Sequence, residues 1–225
     1  MAAKTVQEGQ AYGTLATPTK TGYTFDGWYT AKSGGAKVSS STKAGTTNVT
    51  LYAHWKVNTY TVNFDKNGGS NPSVKSIQVA YGQSYGKLAT VKRKGYTFSG
   101  WYTAKSGGTK ISEKTTMGAG NVTVYAHWKK VSKPKTTSIS SLKKGKKSFT
   151  VSYKKVKDAK GYEIRYSTNS KLKSAKTVTT KSTKATIKKL KKNKKYYVQV
   201  RAYKLDSMNK KVYGSWSKTK NVKTK

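Results

Sequence analysis

Gly22-Tyr23-Thr24-Phe25-Asp26-Gly27-Trp28-Tyr29-Thr30-Ala31-Lys32-Ser33-Gly34-Gly35 is written a second time, 73 residues later, as Gly95-Tyr96-Thr97-Phe98-Ser99-Gly100-Trp101-Tyr102-Thr103-Ala104-Lys105-Ser106-Gly107-Gly108. The closing phrase Asn48-Val49-Thr50-Leu51-Tyr52-Ala53-His54-Trp55 returns as Asn121-Val122-Thr123-Val124-Tyr125-Ala126-His127-Trp128. From Gly22 to Lys56 against Gly95 to Lys129, 25 of 35 positions are identical without a gap. A fixed period of this size means a tandem array of small domains, and such arrays are scaffolds before they are enzymes.

The second copy carries its own opening. Tyr60-Thr61-Val62-Asn63-Phe64-Asp65 alternates apolar and polar as a half-buried strand does, and Lys66-Asn67-Gly68-Gly69 follows with turn chemistry. Ile77, Val79 and Tyr81 share a face, so the two segments pair as a hairpin. The last strand puts Val122, Val124, Ala126 and Trp128 on one face and Thr123, Tyr125 and His127 on the other. Phe98 and Trp101 are three apart, which on a straight strand sends them to opposite faces. Gly100 between them predicts a bulge that brings both rings into one core, and Phe25, Gly27 and Trp28 repeat the arrangement. The expected core is therefore aromatic: Phe25, Trp28 and Trp55 in the first copy, and Phe98, Trp101 and Trp128 in the second. Counting 73 back from Tyr60–Gly69 gives positions before Met1, so the first copy is expected to be truncated. Met1 then reads as a cut or a supplied start, with further repeats ahead of it, because an opening strand should cover the first copy's edge.

These phrases resemble the Listeria–Bacteroides repeat, also called the internalin-type B repeat, which occurs in tandem on surface proteins of Gram-positive and gut bacteria. The resemblance covers residues 6–129. It implies a compact β-grasp-like domain, a curled sheet that can carry one short helix. It also implies a stalk or adhesive role, and it brings no catalytic motif.

Residues 130–136 read as a linker, polar and charged, with Pro134 breaking any regular element. Beyond it, short strands at regular spacing mark a sandwich. Phe149, Val151 and Tyr153 alternate on one, Tyr162, Ile164 and Tyr166 on the next, then Ala185 with Ile187, and Val198, Val200 and Ala202. A last strand runs through Tyr213 and Trp216 toward Val222. Gly161-Tyr162-Glu163-Ile164-Arg165-Tyr166, Leu190 followed six residues later by Tyr196, and Gly214-Ser215-Trp216-Ser217 make this half resemble a bacterial, lysine-rich fibronectin type III domain. That resemblance makes Tyr196 the tyrosine-corner residue and a core residue, its hydroxyl tied to nearby backbone. Tyr153 stands where the family often has tryptophan, and no Arg-Gly-Asp is present to carry integrin binding. The expected fold is thus mainly β: repeats over 1–57 and 58–129, a linker over 130–136, and a type III sandwich over 137–225.

Charge is the remaining signal. The chain has 47 basic and 7 acidic residues and no cysteine. Residues 1–129 hold 16 Lys/Arg against 4 Asp/Glu, and residues 130–225 hold 31 against 3. Such a field attracts polyanions: nucleic acid, anionic lipid, teichoic acid or acidic glycan. The same lysines also keep a β-rich protein soluble and discourage edge pairing. No apolar run approaches the roughly 18 residues that span a bilayer, and the opening residues lack the apolar core of a secretory signal.

Catalytic chemistry finds little to work with. His54 and His127 are the only histidines and are equivalent by the repeat, so they read as repeat-constrained surface residues rather than metal ligands. No two of Glu8, Asp26, Asp65, Glu113, Asp158, Glu163 and Asp206 lie within four residues of each other. Asp26 becomes Ser99 in the other copy. Ser33-Gly34-Gly35 and Ser106-Gly107-Gly108 lack the following Lys-Ser/Thr of a phosphate cradle and read as turns.

The candidate sites are the basic runs Lys143, Lys144, Lys146 and Lys147; Lys154 and Lys155; and Lys188, Lys189, Lys191, Lys192, Lys194 and Lys195. With only Arg93, Arg165 and Arg201 among the bases, loose and salt-sensitive attraction is expected rather than base reading. Tyr197 and Tyr203, expected outward, could stack on sugars or bases. The sequence therefore points to a non-enzymatic module of the cell surface or extracellular space, monomeric as part of a longer chain and needing no cofactor. Its partners would be an anionic polymer, teichoic acid or acidic glycan, or a host surface protein. The alternative is a nucleic-acid-binding basic protein.

Overall fold

The computed structural model describes residues 3–225, and these form sixteen strands. No helix occurs among the described residues, so none is long and apolar enough to cross a membrane. The chain divides into two compact units. One is the chain up to Asp65 with Pro72–Thr90 and Trp101–Tyr125; the other is Lys66–Asn71, Val91–Gly100 and Ala126–Lys225.

In the first unit, β1 (Tyr23–Tyr29), β2 (Lys37–Val38) and β3 (Tyr52–Val57) form an antiparallel sheet in the order β2-β1-β3. Its register slips between Phe25 and Gly27, where Gly27 takes a φ of 150°. That bulge brings the Phe25 and Trp28 rings edge to face at 5.5 Å, and Phe25 meets Trp55 at the same distance. All three rings are only half-buried, so they form an aromatic cluster rather than the closed core expected.

The second repeat adds β4 (Thr59–Asp65), β5 (Ser76–Ala80), β6 (Tyr96–Tyr102), β7 (Lys110–Ile111) and β8 (Val122–Lys130), in the order β5-β4-β8-β6-β7. β4 and β5 pair as the antiparallel hairpin the alternation predicts, Val62 opposite Ile77. β4 also pairs with β8, in parallel, from Val62 opposite Val122 to Asp65 opposite Tyr125. Gly82 and Gly86, both at positive φ, break any helical ladder between β5 and β6, where the repeat runs as turns and irregular chain.

Trp101 is 1% exposed, lies 4.8 Å from the Phe64 ring, and donates its indole N–H to the Ala89 carbonyl at 2.8 Å. Ile111 pairs with it across β6 and β7, and Val62, Val79, Tyr85, Ile111, Met117 and Val124 of the same unit are all buried. This is the closed core of the first unit.

In the second unit, Trp128 is half-buried, donates to the Lys66 carbonyl at 3.2 Å and closes over Gly69, leaving no room for a β-carbon there. Phe98 stands edge-on to Trp128 at 5.5 Å and remains 37% exposed, which corrects its assignment to the core. It shields the outer side of Trp128 instead of entering a closed interior.

The sandwich follows. β9 (Ile139–Gly145), β10 (Ser148–Tyr153), β11 (Gly161–Ser167), β12 (Lys176–Thr180), β13 (Lys184–Ile187), β14 (Lys195–Leu205), β15 (Lys211–Tyr213) and β16 (Lys220–Lys223) make two sheets. One has the order β13-β10-β9; the other runs β12-β11-β14-β15, with β16 also on β14. The single final strand expected through Trp216 is two short ones, because regular pairing lapses between Tyr213 and Lys220, where only the Gly214 and Ser217 amides still donate to Ala202 and Val200 of β14. Phe149, Val151, Ile164, Val198, Val200 and Ala202 fill the space between the sheets with no exposed surface. The Tyr196 hydroxyl accepts the Lys191 amide at 3.1 Å, the corner contact that the type III resemblance implies. Tyr153 packs on Tyr162 at 4.8 Å and donates to the Ser182 carbonyl, a polar anchor that a tryptophan would place differently. Burial pushes its hydroxyl well above the usual tyrosine range.

Candidate polyanion-binding end of the sandwich

The lysine runs are separate in sequence and become neighbours through strand pairing. The β9–β10 turn carries Lys146 and Lys147, and Phe149 pairs with both Lys144 and Ile187. That places Lys143, Lys144, Lys146 and Lys147 at the same end as Lys188 and Lys189, which follow Ile187 directly. Lys195 opens β14 opposite Lys223, so Lys191, Lys192 and Lys194 arrive there too.

The C-terminal segment ties the runs together. The Lys147 amide donates to the Lys225 carbonyl, the Lys225 amide to Gly145, and the Thr224 amide to Lys194. The buried Thr224 hydroxyl donates to the Lys191 carbonyl at 2.7 Å and accepts the Lys194 amide. These bonds fix the backbone and leave the ammonium groups outward. All twelve lysines, the ten named above with Lys223 and Lys225, are exposed. Between them lies a shallow groove of about 330 Å³ lined by Lys144, Lys192, Asn193, Lys223, Thr224 and Lys225.

Three residues here, Lys147, Lys189 and Asn193, hold positive φ values of 46°, 58° and 58°. A lysine in the left-handed region is uncommon, and it persists where surrounding bonds over-determine the turn. The Lys147 carbonyl accepts the Leu190 amide, linking two of the strained turns.

Lys154 and Lys155 do not join this group. They follow β10 at its far end, and the six residues of that strand span about 20 Å at the rise of an extended strand. The Lys154 carbonyl is held there by the Thr137 hydroxyl at 2.6 Å. Tyr203 is 7% exposed, packed against Tyr213, and so offers no ring to a ligand; Tyr197 is half-buried with the Lys195 ammonium 5.6 Å from its centroid.

The three carboxylates of the sandwich lie elsewhere. Asp158 and Asp206 follow the far ends of β10 and β14, and Glu163 on β11 accepts from Arg201 at 2.8 Å and from the Tyr213 hydroxyl at 3.0 Å. The arginines are engaged as well. Arg93 covers Tyr96 at 4.0 Å, while Arg165 and Arg201 flank Trp216 at 4.3 and 4.2 Å. Burial, then the neighbouring Arg201 charge, holds Arg165 below the usual arginine range. Anion contact at this end therefore falls to lysines, which act as hydrated point charges.

His54 is engaged within its own repeat. Nε2 of His54 donates to the Ala31 carbonyl at 2.9 Å, and its ring stacks on Tyr29 at 3.9 Å. Among the described residues no three of histidine, cysteine, aspartate and glutamate gather as metal ligands.

The model of the Listeria-Bacteroides repeat domain matches residues 1–54 and 60–127, just over half of the chain. The chain belongs to that family. A fibronectin type III model matches residues 132–218, so the repeats are followed by a type III domain. Internalin H of Listeria monocytogenes serovar 1/2a is 44% identical over 119 residues, covering 52% of this chain and 21% of internalin H. A putative Gly-rich membrane protein of Evansella cellulosilytica is 35% identical over 121 residues, covering 52% of this chain and 14% of that protein. Both alignments thus take in about a fifth or less of the relative's length. Among solved structures, the type III domain of human contactin 1 is 19% identical over 42% of this chain and 79% of that one, with a TM-score of 0.34.

Sequence reasoning missed Lys223 and Lys225 because neither belongs to a run. The signal was present in the alternation that buries Val222 and Thr224 and turns Lys223 and Lys225 outward.

Proposed function

We propose that this chain is a non-catalytic, surface-displayed module of the stalk or adhesion type. Its repeats, over 1–57 and 58–129, carry the type III domain of 137–225 beyond the 130–136 linker. The lysine-rich end of that domain holds an anionic polymer, teichoic acid or an acidic glycan. One observation carries the reading: strand pairing gathers twelve lysines from three separate segments at one end of the sandwich, four of them lining a shallow groove, away from the side chains of Asp158, Glu163 and Asp206. The relatives' names, an internalin and a membrane protein, support a location at the cell surface.

The groove is shallow and its charges are point-like, so recognition rests on charge density, not on a fitted monomer. Affinity then falls steeply with salt as condensed counterions are released. The test is a binding panel of lipoteichoic acid, heparin, duplex DNA and neutral dextran at low and physiological salt. The expected result is retention of lipoteichoic acid and heparin that weakens at least tenfold between the two salts, with dextran unbound. Equal binding of dextran would overturn the reading. Retention of DNA alone, resistant to salt, would replace it with nucleic-acid binding.

A further inference from the structure

The turn that opens each repeated phrase is built the same way twice. In Lys20-Thr21-Gly22-Tyr23 the Tyr23 amide donates to the Lys20 carbonyl at 3.0 Å, and the Lys20 ammonium sits 4.1 Å from the Tyr23 ring centroid. In Arg93-Lys94-Gly95-Tyr96 the Tyr96 amide donates to the Arg93 carbonyl at 3.1 Å, and the Arg93 guanidinium covers the Tyr96 ring at 4.0 Å. A cation resting on the ring of its own turn stiffens that turn.

What differs is the group from later in the chain that seats on it. On the first turn it is Tyr81, whose ring meets Tyr23 edge-on at 5.9 Å and lies over Gly22. On the second it is the β14–β15 turn of the type III domain. The Ser207 amide donates to the Tyr96 carbonyl at 2.8 Å. The Ser207 hydroxyl accepts the Arg93 amide at 2.7 Å and donates to the Arg93 carbonyl at 3.0 Å. Asp206, 5% exposed, spends one carboxylate oxygen on the Met208 and Lys210 amides of its own turn and the other on the Gly95 amide at 2.7 Å. Leaving a buried acceptor unpaired is costly, so this hairpin is complete only with the repeat's turn against it.

The segment expected as a linker is pinned beside these bonds. The Val131 amide donates to the Gly95 carbonyl at 2.9 Å. Pro134 is buried, and a β-carbon on Gly214 would fall 2.6 Å from its carbonyl oxygen. All of these residues, from Arg93 to Gly214, belong to the second unit.

We propose that the Lys/Arg-x-Gly-Tyr turn is the joining surface of the repeat, and that Asp206-Ser207 is the part of the type III domain built to fit it. The surface takes the module that comes next in the chain: an aromatic ring where a second repeat follows, an Asp-Ser hairpin turn where the type III domain does. A short polar linker by itself leaves the segment it joins free to move. Here the clasp holds residues 131–134 as a strap. This proposal is independent of the lysine-rich end.

The test is timed trypsin digestion of the full chain under native conditions, read by mass spectrometry. The cleavable lysines of the strap are Lys130 and Lys135, since Lys133 is followed by proline. When closing is fast, cutting there tracks the fraction of molecules with the strap open. Ser207→Ala, which removes the two hydroxyl bonds to Arg93, should speed cutting after Lys130 and Lys135 roughly tenfold. Asp206→Asn combined with Ser207→Ala should speed it further. Cutting after Lys146 and Lys147, in the β9–β10 turn, should keep the parent's rate in both variants, which separates opening of the clasp from loosening of the sandwich. Parent-like rates after Lys130 and Lys135 in the double variant, or an equal rise after Lys146 and Lys147, would overturn the proposal.

Discussion

Trp28 and Trp101 occupy the same place in the same phrase, yet one lines an open groove and the other is 1% exposed. Local sequence does not separate them: each stands one residue after a positive-φ glycine, and each indole donates at 2.8 Å, to Ala16 and to Ala89. The difference is β4, whose Phe64 closes over Trp101. Burial in a repeat protein is therefore set by the strand that caps each unit as much as by the residue itself.

The largest effect that could break this comparison is truncation of the two tryptophans. Trp101→Ala should cost about 3–5 kcal/mol, the usual price of emptying a closed core. Trp28→Ala, which removes a half-buried ring, should cost about 1–2 kcal/mol. Chemical denaturation of each variant checks the ratio, and equal losses would mean that β4 is not what distinguishes the repeats.

A second contrast lies in the turn before each phrase. Gly22 and Gly95 share a φ of 79°, and their carbonyls accept the amides of Asn58 and Val131, each at 2.9 Å. A β-carbon on Gly22 would fall 2.2 Å from the Tyr81 ring, whereas one on Gly95 would meet nothing within 4 Å. Gly22→Ala should therefore cost roughly 2–4 kcal/mol, strain plus overpacking. Gly95→Ala should cost about 1–2 kcal/mol, from strain alone. Thermal melts that reverse this order would contradict the packing described.

The smallest effect concerns what replaces that ring at the second turn. The Asp206 carboxylate accepts the Gly95 amide at 2.7 Å and the amides of Met208 and Lys210 at 2.9 and 2.8 Å. Burial works to raise its pKa, but these amides and the Lys210 charge outweigh it and hold the carboxyl below the usual aspartate range. A folded-state value below the unfolded one adds stability that is complete above the unfolded pKa. That stability is lost as pH falls through the folded one. Asp206→Asn should therefore lower the melting temperature by a few degrees at neutral pH and narrow its difference from the parent in acid. A difference that widens in acid would contradict the sign.

Much of this fold was legible because apolar alternation marks strands that are buried on one face. β4, β8, β10, β11 and β14 all show it, and the repeat supplied the boundaries of the phrase itself. β12 was not legible: Lys176–Thr180 is almost wholly exposed and paired only along one edge, so no face needed an apolar set. The parallel pairing of β4 with β8 joins segments about sixty residues apart, a relation no local pattern encodes. Phe98 was misplaced because a bulge fixes spacing, not depth. At the basic end, runs in sequence were a poor guide to clusters in space. β10 carries Lys154 and Lys155 away from Lys147, while β16 brings in Lys223 from outside any run.

That last distinction gives the central claim its sharpest test, the affinity of two variants for lipoteichoic acid at low salt. A lysine near an anionic surface contributes about 1 kcal/mol, so replacing Lys144, Lys192 and Lys223 together with alanine should weaken binding roughly a hundredfold. Replacing Lys154 and Lys155 should change it less than about threefold, in proportion to distance and screening. Equal losses from the two variants would show that net charge, and not the gathered end of the sandwich, holds the polymer.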